Sequence, residues 1–204
     1  MSKVLVAAAV MLALGPVAAA QAQLPPGVFA GERTYRAPPG QYSLDASHTA
    51  VIAKVSHIGY GLSVFRFDRV QGALTWDPAQ PSRSSLTATV QTASISTPVL
   101  GFAAELTGDG YLKSGAYPTA TFVSTGFRQI DANHGQVTGQ FTLMGRTRPV
   151  TFNVEMLGAG RGFGGHPRIG IQARGTINPQ DYGISPMLSA PIQLDVDAEF
   201  TTGS

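Results

Sequence analysis

The chain has 204 residues, of which 43% are hydrophobic and only 13% charged, and its formal net charge is +2. Its 14 Lys and Arg form no basic run, so it lacks the clustered cations that a phosphate-tracking nucleic-acid surface needs. It has no cysteine, which excludes disulfides, thiolate metal sites, a cysteine nucleophile and a lipidated cysteine.

Residues 1–22 open with Lys3, continue as an apolar run from Val4 to Ala20, and end in Ala20-Gln21-Ala22. That order reads as a signal peptide cleaved after Ala22, directing the mature protein to the periplasm. Gly15 and Pro16 interrupt the run, and it is short for a permanent span of roughly 20 residues. Residues 23–40, QLPPGVFAGERTYRAPPG, carry two Pro-Pro pairs and no apolar period, and are expected to be a flexible linker. The folded domain is expected over 41–204, long enough to bury most of its apolar surface without disulfides.

From there alternation at period two dominates, as in strands with one buried face. It predicts strands over 42–45, 51–57, 64–76, 86–93, 120–127, 136–144, 150–157, 169–177 and 192–200, the third interrupted by a bulge. The last is the clearest: Ile192, Leu194, Val196, Ala198 and Phe200 alternate with Gln193, Asp195, Asp197 and Glu199. Turn residues separate the strands at Gly59-Tyr60-Gly61, Asp77-Pro78, 131–135, Gly145-Arg146, 158–165 and Asn178-Pro179. Only 99–113 resists a strand assignment; its Leu100, Ala103, Ala104 and Leu106 suit one short helical segment. Eight or nine antiparallel strands with one such segment indicate an all-β closed barrel or a sandwich. Glycines within strands, at Gly72, Gly139, Gly170 and Gly175, point to bends or close approaches and favour a barrel with room inside.

Motifs that suggest chemistry fail on context. Gly160-Arg161-Gly162-Phe163-Gly164-Gly165 matches GxGxxG, yet His166-Pro167 leads into another strand where the fingerprint needs a helix N-terminus. His48, His57, His134 and His166 show no metal-ligand spacing, so no metal is expected. Asp45, Ser47 and His48 have the residue types of a hydrolytic triad, but chain neighbours seldom face one another, and no GxSxG elbow exists. No catalytic residue and no cofactor is expected.

Several stretches together resemble the YceI family, exported lipocalin-like proteins that include polyisoprenoid binders. They are Tyr42-x-Leu44-Asp45-x-x-His48, Val55-x-His57-x-Gly59, Phe67 with Gly72-x-Leu74, and Tyr111-Leu112-Lys113-Ser114. Further on come Tyr117-Pro118-x-Ala120-Thr121-Phe122-x-Ser124-Thr125, then Val137-Thr138-Gly139-x-Phe141-Thr142-Leu143-x-Gly145-x-Thr147-Arg148-Pro149-Val150, then Asn178 and Asp181-Tyr182-Gly183-Ile184. The resemblance implies an eight-stranded antiparallel lipocalin-like barrel whose lumen holds a long-chain isoprenoid or fatty-acid-like lipid, without a cofactor. Where relatives carry arginine before the aspartate and histidine in place of Tyr111, this chain has Gly108-Asp109-Gly110-Tyr111. Phe65 stands where glycine is common, and Pro179 where a basic residue is frequent. An inward Phe65 is expected to shorten the pocket.

Strand parity selects a ligand-binding set: Val55, His57, Phe67, Leu74, Trp76, Val90, Phe122, Phe141, Leu143, Phe152, Val154, Ile171 and Leu194. Lys113, Arg146 and Arg148 are the cations nearest strand ends and the candidates for an anionic headgroup. The expected function is a periplasmic carrier that sequesters a polyisoprenoid-like or other long-chain amphiphile. Two alternatives stay open: an enzyme acting on a hydrophobic molecule through His57 with Tyr60 or Tyr111, and a stress-related scaffold with a filled barrel. The sequence leaves the oligomeric state open, a dimer included.

Overall fold

The computed structural model describes residues 30–203. The signal-peptide expectation, 1–22, and the first part of the linker, 23–29, lie outside the described residues.

Ten strands arise where the alternation is regular: β1 (Gly40–His57), β2 (Gly61–Phe67), β3 (Val70–Trp76), β4 (Ser85–Gln91), β5 (Ile95–Ser96), β6 (Thr119–Gln129), β7 (His134–Leu143), β8 (Arg146–Arg161), β9 (Pro167–Ile177) and β10 (Ile192–Thr201). They make an eight-stranded antiparallel closed barrel, because β2 with β3, and β4 with β5, are each one stave broken midway. Each stave pairs with the next in the chain, and β10 returns to β1 from Ser43↔Thr201 to Lys54↔Gln193. Closure pairs both sides of most staves, and the β1–β2 ribbon beyond Lys54 keeps a short open edge.

The breaks are held by side chains that replace ladder partners. Ser94 Oγ accepts from the Arg69 amide at 3.1 Å and donates to the Gln91 carbonyl at 2.7 Å, stitching both broken staves together. The two stretches predicted at 42–45 and 51–57 are one strand, β1, with an irregularity between Asp45 and Ala50. There Asp45 Oδ1 accepts from the Ser47 amide at 3.0 Å, and Thr49 Oγ1 donates to the Asp45 carbonyl at 2.7 Å. The β7–β8 connection is a two-residue turn in which Met144 and Gly145 both have positive φ, 50° and 72°, matching strand twist.

Among the described residues, two short α-helices complete the fold. Helix α1 (Phe102–Thr107) falls within the expected segment. Helix α2 (Pro179–Tyr182) replaces part of the turn expected after β9: Asn178 Oδ1 accepts from the Gln180 amide at 3.2 Å, and Gly183 ends the turn with φ 76°.

The two rims of the barrel differ. One, the helical end, carries the β1–β2 turn, the α1 connection, the β7–β8 turn and the α2 connection. The other, the arm end, carries the start of β1 and the β3–β4, β6–β7 and β8–β9 turns. Residues 30–39, which the sequence places in a linker, lie against the arm end: Ala37 is buried among Tyr42, Leu74, Ala159, Ile169, Ala198 and Phe200.

Candidate lipid-binding lumen

Inside the staves lies a cavity of about 420 Å³. Phe67, Leu74, Trp76, Val90, Phe122, Phe141, Leu143, Phe152, Val154, Ile171 and Leu194 line it, as strand parity predicts, joined by Val51, Ala53, Leu86, Met156, Ile169 and Phe200. Period two explains the agreement: once one residue of a regular strand faces inward, its i+2 neighbours follow. The interior is therefore hollow, unlike the filled barrel of the scaffold alternative.

Two strand glycines help to keep it so. A Cβ at Gly139 would overlap the Phe122 ring, and one at Gly175 would come within 2.9 Å of Phe152 Cδ1. Each ring thus lies against the bare backbone of a neighbouring stave, and the two meet edge to face at 5.3 Å.

Val55 and His57 correct the expected set, since neither lines the cavity. Val55 packs on the core cluster beside Phe65, and His57 is exposed where β1 meets its turn. The reason is the length of β1. Its pairing with β10 stops at Lys54↔Gln193, and beyond that β1 runs with β2 alone as a ribbon past the end of the ring, where inward parity no longer faces the lumen. His57 therefore does not share the pocket with a hydroxyl, as the catalytic alternative requires.

The helical end is shut. Phe65 is buried and packs on Phe102 at 6.1 Å, and Phe141 meets Tyr182 edge to face at 5.5 Å. Leu106 and Ile184 are buried with them. Burial pushes the Tyr182 phenol pKa up, with Asp181 adding to the rise. Phe65 thus belongs to the packed helical end and is not among the residues that line the cavity. Lys113, Arg146 and Arg148 sit at this end outside the lining: Arg146 lies against Gly183, and Arg148 Nη1 donates to the Thr147 carbonyl at 2.9 Å. They do not reach the cavity as headgroup partners.

The lining changes character at the arm end. There Arg36, Asp131, Asn133 and His134 surround the opening with Tyr35, Pro78 and Pro81. Arg128 also belongs to this rim; it donates to Gln136 Oε1 at 2.8 Å, and Gln136 Nε2 donates to Asn153 Oδ1 at 2.8 Å, a chain on the outer face between the inward Phe127, Val137 and Phe152. Asp131 is held below the usual carboxylate range by the Asn133 amide and by His134. Sequence reasoning missed the contribution of 35–37, because a Pro-rich stretch has no periodicity from which to read a facing.

A charged cluster lies across the seam where β10 closes on β1. Asp45 Oδ2 accepts from Arg168 Nη1 at 2.7 Å and lies 2.9 Å from His48 Nδ1, while Arg168 also bonds Glu199. His48 and Arg168 together hold the Asp45 carboxyl down to about 2. Asp45, His48 and Glu199 place potential metal-ligand atoms within 4.8 Å of one another. The Arg168 guanidinium already serves both carboxylates as counterion, so the cluster is built as a brace joining β1, β9 and β10.

Comparison with known proteins places this architecture. The profile of the YceI-like domain matches residues 42–200. A UPF0312 protein of Pseudomonas putida strain W619 is 33% identical over 159 residues, covering 77% of this chain and 83% of the relative. The Campylobacter jejuni YCEI protein superposes with a TM-score of 0.66 at 25% identity, covering 74% of this chain and 91% of that one. A polyisoprenoid binding domain from Saccharophagus degradans superposes with a TM-score of 0.56 at 17% identity, covering 78% and 97%. At that identity the last likeness shows the shared fold.

Proposed function

This chain belongs to the YceI-like domain family, and from that premise we propose that it is a carrier that sequesters a long-chain amphiphile, polyisoprenoid-like or fatty-acid-like, in its barrel. The observation that carries the reading is the apolar lumen of about 420 Å³, a volume within the roughly 300–1,000 Å³ of small-molecule sites. Each methylene moved from water to such a wall gains about 0.8 kcal/mol, so a tail of ~10 buried methylenes gains ~8 kcal/mol before the cost of ordering it. No hydrogen bond to the tail is needed. The polyisoprenoid-binding Saccharophagus relative, with the same fold, supports the ligand class.

The leader-like residues 1–22 support a periplasmic site of action, to be checked by N-terminal sequencing of the mature protein from a cell fractionation. The binding reading is tested by solvent extraction of the purified protein followed by mass spectrometry, with titration of a fluorescent fatty acid as a second readout. A stoichiometric long-chain amphiphile and saturable binding are expected. An empty lumen that also fails to take up the probe would overturn the reading.

A further inference from the structure

We propose that residues 30–39 form a gate across the mouth of the lumen, and that the amphiphile binds with its polar end beneath this gate and its tail toward α1 and α2. The proposal rests on the lipid-binding reading above and adds an orientation and a route of exchange.

The arm is seated by specific contacts. β8 pairs with β7 only as far as Glu155↔His134, then continues to Arg161 with that edge vacated. The arm takes the place of β7 there. The Glu32 amide donates to the Ala159 carbonyl at 2.9 Å, and the Ala159 amide donates back to the Glu32 carbonyl at 3.0 Å. Arg33 Nη2 donates to Glu155 Oε1 at 2.6 Å. Gly31 rests on Gly158 so closely that a Cβ at Gly158 would stand 2.9 Å from the Gly31 carbonyl carbon. Beyond these anchors Tyr35 packs on the same buried cluster as Trp76 of β3, Phe127 of β6 and Met156 of β8. Tyr35, Arg36 and Ala37 then face the cavity itself.

The two ends compare unequally as routes. The helical end is closed by buried, mutually packed side chains, Phe65 on Phe102 and Phe141 on Tyr182, and opening it means dismantling core. The arm is held by one pair of main-chain hydrogen bonds, a half-exposed ion pair, the Arg36 guanidinium donating to the Ala132 carbonyl, the Tyr42 hydroxyl donating to the Pro38 carbonyl, and the packing of Tyr35 and Ala37 on the cluster beneath, with no interlocked pair of rings of its own. Segments with few buried apolar contacts and solvent-accessible hydrogen bonds open first. The polarity of the wall runs the same way. Every charged, histidine or amide residue of the lining belongs to the arm or to the β6–β7 hairpin and its flanks, whereas Leu112, Leu143, Ile177, Ile184 and Ile192 line the far end. A headgroup at the far end would meet no charged or amide side chain, only hydroxyls such as that of Thr92, which already donates to the Tyr117 carbonyl; beneath the arm it meets polar groups and water.

The chain has no cysteine, so Glu32→Cys with Ala159→Cys introduces a single pair at a directly opposed antiparallel position, suited to a disulfide. Uptake and release of a fluorescent fatty acid by the full mature chain are followed by stopped flow, with and without reductant. Oxidation is expected to slow both at least about tenfold, and reductant to restore them, as for a lid that must lift. Gly158→Val, which displaces Gly31, is expected to speed both. Orientation is read from Trp76, the chain's single tryptophan, which lines the lumen near the arm. A fatty acid with its nitroxide beside the carboxylate is expected to quench Trp76 more than one labelled at the methyl end. Normal binding with equal rates in both redox forms, or wild-type rates in Gly158→Val, overturns the gate. Stronger quenching from the methyl end overturns the orientation. Failure of the unmodified protein to bind any of these probes overturns the lipid-binding reading itself.

Discussion

The ring of Phe65, on β2, packs on that of Phe102, the first residue of α1, with centroids 6.1 Å apart and planes inclined by 54°. Phe65 pairs in register with Ala53, whose side chain lines the lumen, while Phe65 itself is buried in the packed helical end and is not part of the lining. The pair belongs to the same cluster as Leu143, Ile177, Ile184 and Ile192, which line the far end of the cavity.

Replacing the Phe65 ring tests the depth of the cavity directly. Phe65→Ala should cost about 3–5 kcal/mol of stability, as for other buried phenylalanine truncations, and should extend the lumen toward α1. In a displacement series of saturated fatty acids, the preferred chain length should move upward by several carbons. An unchanged preference in a folded variant would show that the ring does not limit the tail.

Gly139 should respond in the opposite sense. Because a Cβ there overlaps the Phe122 ring and also stands 2.5 Å from the Val123 carbonyl oxygen, Gly139→Val forces the phenyl group off the wall into the lumen and shifts the β6–β7 ladder. Overpacking of this kind destabilises by about 1–3 kcal/mol, visible in a urea midpoint, and the reduced bore should weaken fatty-acid affinity. Wild-type affinity in a folded variant would mean that the ring has escaped outward.

Asp45 governs part of the acid stability. Its carboxyl is held at about 2, against the ordinary 3.8, mainly by His48 and then by Arg168. The folded value lies below the unfolded one, so the stabilisation is complete above the ordinary aspartate value and disappears as pH falls through about 2. Thermal melts from pH 5 downward, a range chosen to span about both values, should show a decline that Asp45→Asn flattens, with a lower melting temperature for the variant at neutral pH. Parallel curves for the two proteins would remove Asp45 from the acid response.

Ser114 offers a gain. Its hydroxyl is buried near the α1 connection with no hydrogen-bond partner, and such a group costs about 1–3 kcal/mol. Ser114→Ala should stabilise the protein by about 1 kcal/mol, raising the melting temperature by about 2–4 °C. A lower melting temperature would reveal a partner for the hydroxyl, such as an internal water.

The family resemblance was carried by residues spread from Tyr42 to Ile184, within the 42–200 that the family profile matches. The second helical turn had its signals in plain view, with Asn178 as cap, Pro179 next and Gly183 after, but four residues are too few for a helical period to emerge.

What the chain alone determined was the alternation: in Ile192, Leu194, Val196, Ala198 and Phe200, as in Phe152 and Val154, each inward residue commits its i+2 neighbour, and that rule is local. Tertiary structure decided where the rule stops having a lumen to face. Val55 and His57 keep the parity of Val51 and Ala53, yet they lie beyond the last β10 partner at Lys54, so the same geometry leaves one against the end wall and the other in solvent. It also decided the fate of Tyr35, Arg36 and Ala37, whose seat depends on where β7 ends and β8 runs on, a relation between distant segments that no local pattern encodes.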